Sequence, residues 1–149
     1  MAISVIAALT ELGRHHIADM TISGRGFQIT KFVVGSGGHD SGDPTVPLTP
    51  SPTVIALPDQ TFGPKLLVVP AAPYTGTLVT PFCPQFTALL DYTEANGSIS
   101  NYGLIAQVVY SPIPGDPLLG TEFLFAHGNT PLKEKTDSDQ FQITITLQT

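Results

Sequence analysis

The sequence predicts a single β-rich α+β domain over residues 1–149. A short N-terminal helix packs on a mainly antiparallel sheet or sandwich of about six strands with long Pro-rich loops. Three observations carry that prediction. Several segments alternate in polarity and are rich in β-branched and aromatic residues, as a strand with one buried face must be. Turn-formers punctuate the chain, with 14 Gly and 14 Pro. Helical spacing of apolar residues occurs in one stretch near the N-terminus. Leu, Ile, Val and Phe supply 44 of 149 residues, enough for one sizeable core. No internal repeat and no domain boundary is visible.

The helix comes first. Leu9, Leu12, Ile17 and Met20 fall on one helical stripe, predicting a helix over about residues 10–18. Thr10 suits its N-cap, because a hydroxyl accepts one of the free first-turn N–H groups, and Glu11 suits the positive end of the helix dipole. Gly13 costs about 1 kcal/mol against Ala inside a helix, which points to close packing there. A strand follows at 27–34, with Phe27, Ile29 and Val33 on one face and Gln28, Thr30, Phe32 and Val34 on the other. Gly35-Ser36-Gly37-Gly38 ends it in a turn.

From His39 to Pro58, five prolines (Pro44, Pro47, Pro50, Pro52, Pro58) predict an extended connection with no central strand. The apolar run Val54-Ile55-Ala56-Leu57 predicts that it lies along the domain. A short strand is expected at 65–69, stopping at Pro70. Another is expected within 77–92, broken by Pro81 and Pro84, with 85–92 its better half. Asn96-Gly97 reads as a hairpin-type turn. A strand at 99–110 contains Gly103, and residues 111–117 form a turn cluster. In 121–127, Glu122, Leu124 and Ala126 oppose Phe123 and Phe125. The cleanest alternation is at 140–147, with Phe141, Ile143, Ile145 and Leu147 on one face and Gln142, Thr144 and Thr146 on the other.

Composition narrows the function. Six basic residues face twelve acidic ones, a net charge of -6 that disfavours nucleic acid as a partner. No apolar run approaches the length of a membrane span. Residues 1–9 are apolar but lack a basic start, so no secretory signal is expected. The single cysteine, Cys83, excludes an intramolecular disulfide. Set between Phe82 and Pro84, it reads as a small buried filler rather than a nucleophile. From Leu66 to Leu132 there is no Lys or Arg, and Asp91, Glu94, Asp116 and Glu122 are the charges. Interface cores are depleted in charge, so this stretch is the first place to look for subunit contacts. The plainer reading is an ordinary β-protein whose loops are solvated by neutral polar residues, Thr alone occurring 18 times.

No constellation converges on chemistry. His15 and His16 adjoin, but helical neighbours point about 100° apart and do not share a metal easily. His39 with Asp40 and Asp43 matches no metal loop and reads as a solvated turn. The Gly-rich turn at 35–38 lacks both a following helix and a Lys-Ser/Thr pair, so it is not a phosphate loop. No nucleophile elbow is present, and Asn96-Gly97-Ser98 has glycosylation spacing but reads as a turn. The expectation is therefore a non-enzymatic protein with no cofactor, no catalytic residue and no bound metal.

Four segments then line up in order: Leu9-Thr10-Glu11-Leu12-Gly13 with Ile17-Ala18; Ile29 to Gly37; Ile99-Ser100-Asn101-Tyr102-Gly103-Leu104-Ile105; and Glu122 to Asn129 with Pro131 and Lys133. This series resembles the phage tail-collar fibre family, the N-terminal baseplate-attachment domains of contractile-phage tail fibres. The first segment resembles the family's opening helix, and the second its first strand with a Gly-polar-Gly turn. The third resembles its X-X-Glu-X-Gly-Leu/Ile-Phe strand, with Asn101 at the acidic position. The last resembles its Leu-X-Ala-X-Gly/Ala-Asn-X-Pro turn, where Gly128 with Asn129 suits positive φ. The segment at 65–92 is longer and richer in Pro than the family pattern.

The resemblance implies a virion structural protein of a tailed bacteriophage, a baseplate or tail-fibre attachment component acting by protein–protein assembly. Its partners would be itself, as a homotrimer if it follows fibre symmetry, and other tail or baseplate proteins. It would be made in the host cytoplasm and reside in the tail or baseplate region. Nucleic acid and membrane are not expected partners. The chain ends at Thr149 where a long shaft follows in the family, which suggests an adaptor or baseplate part. Thr10, Gly13, Gly35, Gly37, Gly103, Gly128, Asn129 and Pro131 are the structural or interface candidates. The alternatives are a head-completion or capsid-decoration protein, or a host-surface recognition module. Absent Trp and only four Tyr (Tyr74, Tyr92, Tyr102, Tyr110) weaken a sugar-binding role.

Overall fold

A computed structural model describes residues 1–68, 76–79 and 83–148. Its elements are β1 (Ala2–Leu9), α1 (Glu11–Ser23), β2 (Gly26–Gly35), β3 (His39–Asp40), β4 (Asp43–Pro47) and β5 (Gln60–Leu66), then β6 (Gly76–Val79), β7 (Cys83–Leu90), β8 (Gly97–Tyr110), β9 (Glu122–Lys135) and β10 (Phe141–Gln148). The fold is β-rich with one short helix. One eight-stranded sheet runs β5-β2-β8-β9-β1-β10-β7-β6, and β3 and β4 make a separate two-stranded ribbon. The large sheet is mixed. Every neighbouring pair is antiparallel except β1 and β10, which run parallel from Ala2 opposite Gln142 to Ala8 opposite Gln148. One continuous sheet curls around the core. Just beyond β5, the Val68 N–H reaches the Thr87 carbonyl of β7 at 2.9 Å.

Residues 2–9 were not expected as a strand. They alternate in burial, with Ile3, Val5 and Ala7 inside. The outward positions include Ala2 and Ile6, so polarity does not alternate and the strand signal is hidden. β1 nevertheless occupies the middle of the sheet.

Bulges correct two predicted faces. In β2 the register steps from Ile29 opposite Ala106 to Lys31 opposite Ile105. The extra residue flips the strand's faces. Phe27 and Ile29 therefore pack against the same core that contains Phe32 and Val34, while Val33 turns to a small outer cluster with Leu57 and Leu124. A second shift, between Leu104 and Ile105, sends Leu124 to that outer cluster but keeps Phe123, Phe125 and Ala126 in the main core.

Two turn predictions are also corrected. Asn96-Gly97 does not close a hairpin, because β7 pairs with β10 and β6 while β8 pairs with β2 and β9. Gly128, Asn129 and Pro131 do not form a turn either; they lie inside β9. The strand expected at 65–69 begins earlier, at Gln60. The expected stop at Pro70, the break at Pro81 and Tyr74 lie outside the described residues, as does the Cys83 side chain. The 39–58 connection contributes no central strand; its β3–β4 ribbon is exposed and the rest lies along the sheet.

The helix runs to Ser23, past its expected end, and stops where Gly24 adopts φ 79° and returns its N–H to Met20. Leu12 and Ile17 pack on the main core, while Met20 at the end of the predicted stripe is exposed.

Candidate functional site

The predicted residues fall mostly on one buried seam where α1, β1, β2, β8 and β9 meet. Thr10 is fully buried. Its hydroxyl accepts the Gly13 N–H at 2.9 Å and donates to the Leu124 carbonyl at 2.8 Å, while its own N–H reaches the Phe125 carbonyl at 3.0 Å. The N-cap thus also fastens the helix to β9. A Cβ on Gly13 would collide with the Phe125 carbonyl, so this glycine lets the first helical turn lie directly on the strand. At the strand's other flank, a Cβ on Gly128 would collide with the Ile6 carbonyl of β1.

The remaining candidates organise the connection across the sheet. Gly35 lies against Asn101 and the Asp59 carbonyl, and Gly37 against Pro58 and Asp59. Gly103 fits between Leu124 and Val33. Asn129 donates through Nδ2 to the Leu48 carbonyl at 2.7 Å, and Asn101 does the same to the Pro58 carbonyl at 2.7 Å. Pro131 lies in β9 where the register skips, between Asn129 opposite Asn101 and Lys133 opposite Ile99. A proline with no N–H to donate fits such an irregular stretch.

Three groups outside the predicted set also fix this region. His127 is buried and its Nε2 lies 2.7 Å from the Ser51 carbonyl, so that nitrogen carries the proton and donates. The Glu11 N–H reaches the Pro52 carbonyl at 2.7 Å. Lys135 is buried with its Nζ at 2.7 Å from the Asp91 carbonyl, 3.3 Å from the Tyr92 carbonyl and 2.8 Å from Asn96 Oδ1. An ammonium held by three oxygens ties the 91–96 loop to β9. Spacing gives no sign of it, because Lys135 meets its partners from about forty residues away in sequence.

The surface is strongly uneven. At one end of the sheet, α1 finishes beside β2, and Gly26 pairs with Tyr110. Arg25 there bonds Asp116 at 2.6 Å and Asp19 at 2.9 Å. Asp116 also accepts from the Ser111 hydroxyl at 2.5 Å and the Leu118 N–H at 3.1 Å. These bonds, led by Arg25, hold its carboxyl well below the usual range, at about 2. The cluster fastens the 111–121 loop to the helix end. Nearby, Lys31 pairs with Glu122 at 3.1 Å. Around these charges, Ile22 (86% exposed), Tyr110 (58%), Leu119 (52%), Val109, Ile113 and Leu118 are open to solvent.

Other polar groups do not converge. His16 stacks on Phe123 at 3.7 Å between ring centres; burial there, and then the neighbouring His15, hold its pKa below the ordinary value. His39 Nδ1 meets Ser100 Oγ at 2.8 Å, whereas Asp40 and Asp43 each bond within their own turns. Among the described residues no group of three or more His, Cys, Asp or Glu is placed to hold a metal ion. Among them, too, no helix is long and apolar enough to cross a membrane. Compared with known proteins, the chain matches no family model, no curated protein and no solved structure.

Proposed function

We propose that this chain is a virion structural protein of a tailed bacteriophage, a baseplate or tail-fibre attachment component that acts by protein–protein assembly. The observation that carries the reading is how the four resembling segments sit in space. Three of them are parts of β2, β8 and β9, which are consecutive in the sheet, and the first is the helix capped onto β9. Residues that resemble one family's motifs in sequence order thus form one joined unit. Its glycines serve backbone approach. Its mechanism is docking, with itself and with other tail proteins, and involves no chemical step.

The test is mass spectrometry of purified, fractionated particles from the phage that encodes the chain, followed by cryo-EM localisation. Peptides from this chain in the tail or baseplate fraction are expected. Absence from the particle sinks the proposal, and density on the head shell moves the chain to the head-completion or decoration class.

A further inference from the structure

We infer that Asn96 is a self-modification site, at which loss of the side-chain amide to water supplies Lys135 with the carboxylate it lacks. This goes beyond the assembly reading and stands whether or not the chain is a tail protein. The first observation is an unmatched charge. Lys135 is 2% exposed, and its Nζ is held by the Asp91 carbonyl at 2.7 Å, the Tyr92 carbonyl at 3.3 Å and Asn96 Oδ1 at 2.8 Å, all neutral oxygens. The centre of the buried Phe141 ring lies 5.9 Å from it. Among the described residues Arg25, Lys31 and Lys65 form ion pairs and Lys135 forms none. Asp91 turns its carboxylate to the Gln140 side chain and the Tyr92 N–H instead. A lysine is almost never buried this far without an acid beside it.

The second observation is the reactivity of the group that Lys135 holds. Asn96 is exposed and irregular, just ahead of β8, and a Cβ on Gly97 would meet nothing within 4 Å. With no side chain at residue 97, its nitrogen reaches the Asn96 Cγ without steric hindrance. In the first step Gly97 N bonds to Cγ and gives up its proton. The Cγ–Nδ2 bond breaks, and Nδ2 leaves as ammonia carrying that proton. Water then opens the resulting succinimide ring at Cγ, and the Gly97 N–H is restored. The net change is amide plus water to carboxylate plus ammonium, with no oxidant or reductant. The Lys135 ammonium already donates to Oδ1, where negative charge develops when Cγ is attacked. The same donor directs water to Cγ, which gives aspartate; opening at the main-chain carbonyl would give isoaspartate. The new carboxylate stands where the amide oxygen stood, against the ammonium.

The experiment incubates the whole purified chain in mildly alkaline buffer, then denatures it and digests it with chymotrypsin. Cleavage after Tyr92 and Tyr102 releases the peptide Thr93–Tyr102. Mass spectrometry is expected to show it about 1 Da heavier as an amide becomes an acid, with the change at Asn96 and not at the fully buried Asn101. Electron-transfer fragmentation, which distinguishes the two products, is expected to find a higher share of aspartate than in the free peptide treated alike. Asn96→Asp installs the product directly and is expected to raise the urea midpoint by roughly 0.3 M, the scale of a partly exposed ion pair. In a Lys135→Met background the same substitution should add nothing. An Asn96 that stays an amide for ten times as long as the free peptide needs to convert overturns the inference. So does an aspartate share no higher than the free peptide's, an Asn96→Asp variant no more stable than wild type, or a gain that persists without Lys135.

Discussion

The two ends of the sheet handle polar groups in opposite ways. Where β9 ends, Lys135 is buried and its ammonium is spent on the carbonyls of the 91–96 loop. Along the same strand His127 and Asn129 hold the carbonyls of Ser51 and Leu48. Polar side chains there face inward and fix irregular backbone, and acids populate the surface. At the other end the polar groups also meet one another, through Arg25 and its two aspartates, but the surface left over is aliphatic. One end uses hydrogen bonds to lock loops; the other uses an ion cluster to hold a loop in a pose that exposes apolar side chains. Rigidity at both ends thus has different results, a closed surface at one and an exposed apolar surface at the other.

The comparison breaks most severely if the locked seam is forced open. Gly128→Val places a branched side chain against the backbone carbonyl of Ile6, with the Val5 side chain as the next neighbour. A cost of about 3 kcal/mol is expected, the upper part of the overpacking range. Urea unfolding should show the loss, with Gly128→Ala intermediate. Wild-type stability in Gly128→Val would mean that β1 does not approach β9 as closely as described.

Lys135→Met tests the lock itself. It keeps most of the buried stem but leaves the Asp91 and Tyr92 carbonyls and the Asn96 side chain without their donor. Hydrogen bonds to a charged group contribute about 1.5–3 kcal/mol, so a loss of about 2 kcal/mol is expected. Faster amide exchange should appear in the 91–96 loop and leave the 111–121 loop unchanged. Equal loosening of both loops would show that the ends are not independent. Thr10→Ala removes the hydroxyl that accepts from Gly13 and donates to Leu124, and should cost about 1 kcal/mol. Its effect should reach the start of α1 and spare the cluster around Arg25.

Much of the sheet was legible because its strands advertise one face. β10 alternates in burial as its polarity alternates, and Thr10 was legible as a cap because a hydroxyl ahead of a helical stripe has few other uses. The failures have a common cause in tertiary contact. β1 shows apolar residues on both faces, one of them in the core and the other outward at Ile6. Gly128-Asn129 has the composition of a turn, yet glycine there serves the approach of β1 and asparagine serves the Leu48 carbonyl, both far away in sequence. The β2 bulge after Ile29 reverses the side-chain parity without any glycine to announce it. Five of the six exposed residues of the apolar end fall in the charge-poor stretch 66–132. Ile22 does not, because only folding brings the helix end to the 111–121 loop.

The smallest expected effect separates the two ends by pH. Asp116 has a folded-state pKa of about 2, below the ordinary 3.8, owing first to Arg25 and then to Ser111 and the Leu118 N–H. A carboxylate whose pKa is lower when folded stabilises the fold above its unfolded pKa. That contribution is lost as pH falls through the folded value. The Arg25 cluster should therefore hold the 111–121 loop undiminished above pH 4 and release it progressively toward pH 2. Asp116→Asn, which removes the titrating group, should flatten the fall of the urea midpoint across that window without abolishing it. Asp19, Asp43, Asp91 and Glu94 are depressed in the same direction, and Asp91 and Glu94 belong to the 91–96 loop itself. Lys135 binds carbonyl and amide oxygens rather than a carboxylate, so its direct bonds to the 91–96 loop do not depend on a carboxylate staying ionised. Protection from amide exchange in residues 111–121 should therefore fall toward pH 2, and in Asp116→Asn it should already be lower at pH 6 while residues 91–96 are spared. Protection of residues 111–121 that the variant leaves unchanged at pH 6 would show that the ion cluster is not what holds the apolar end in shape.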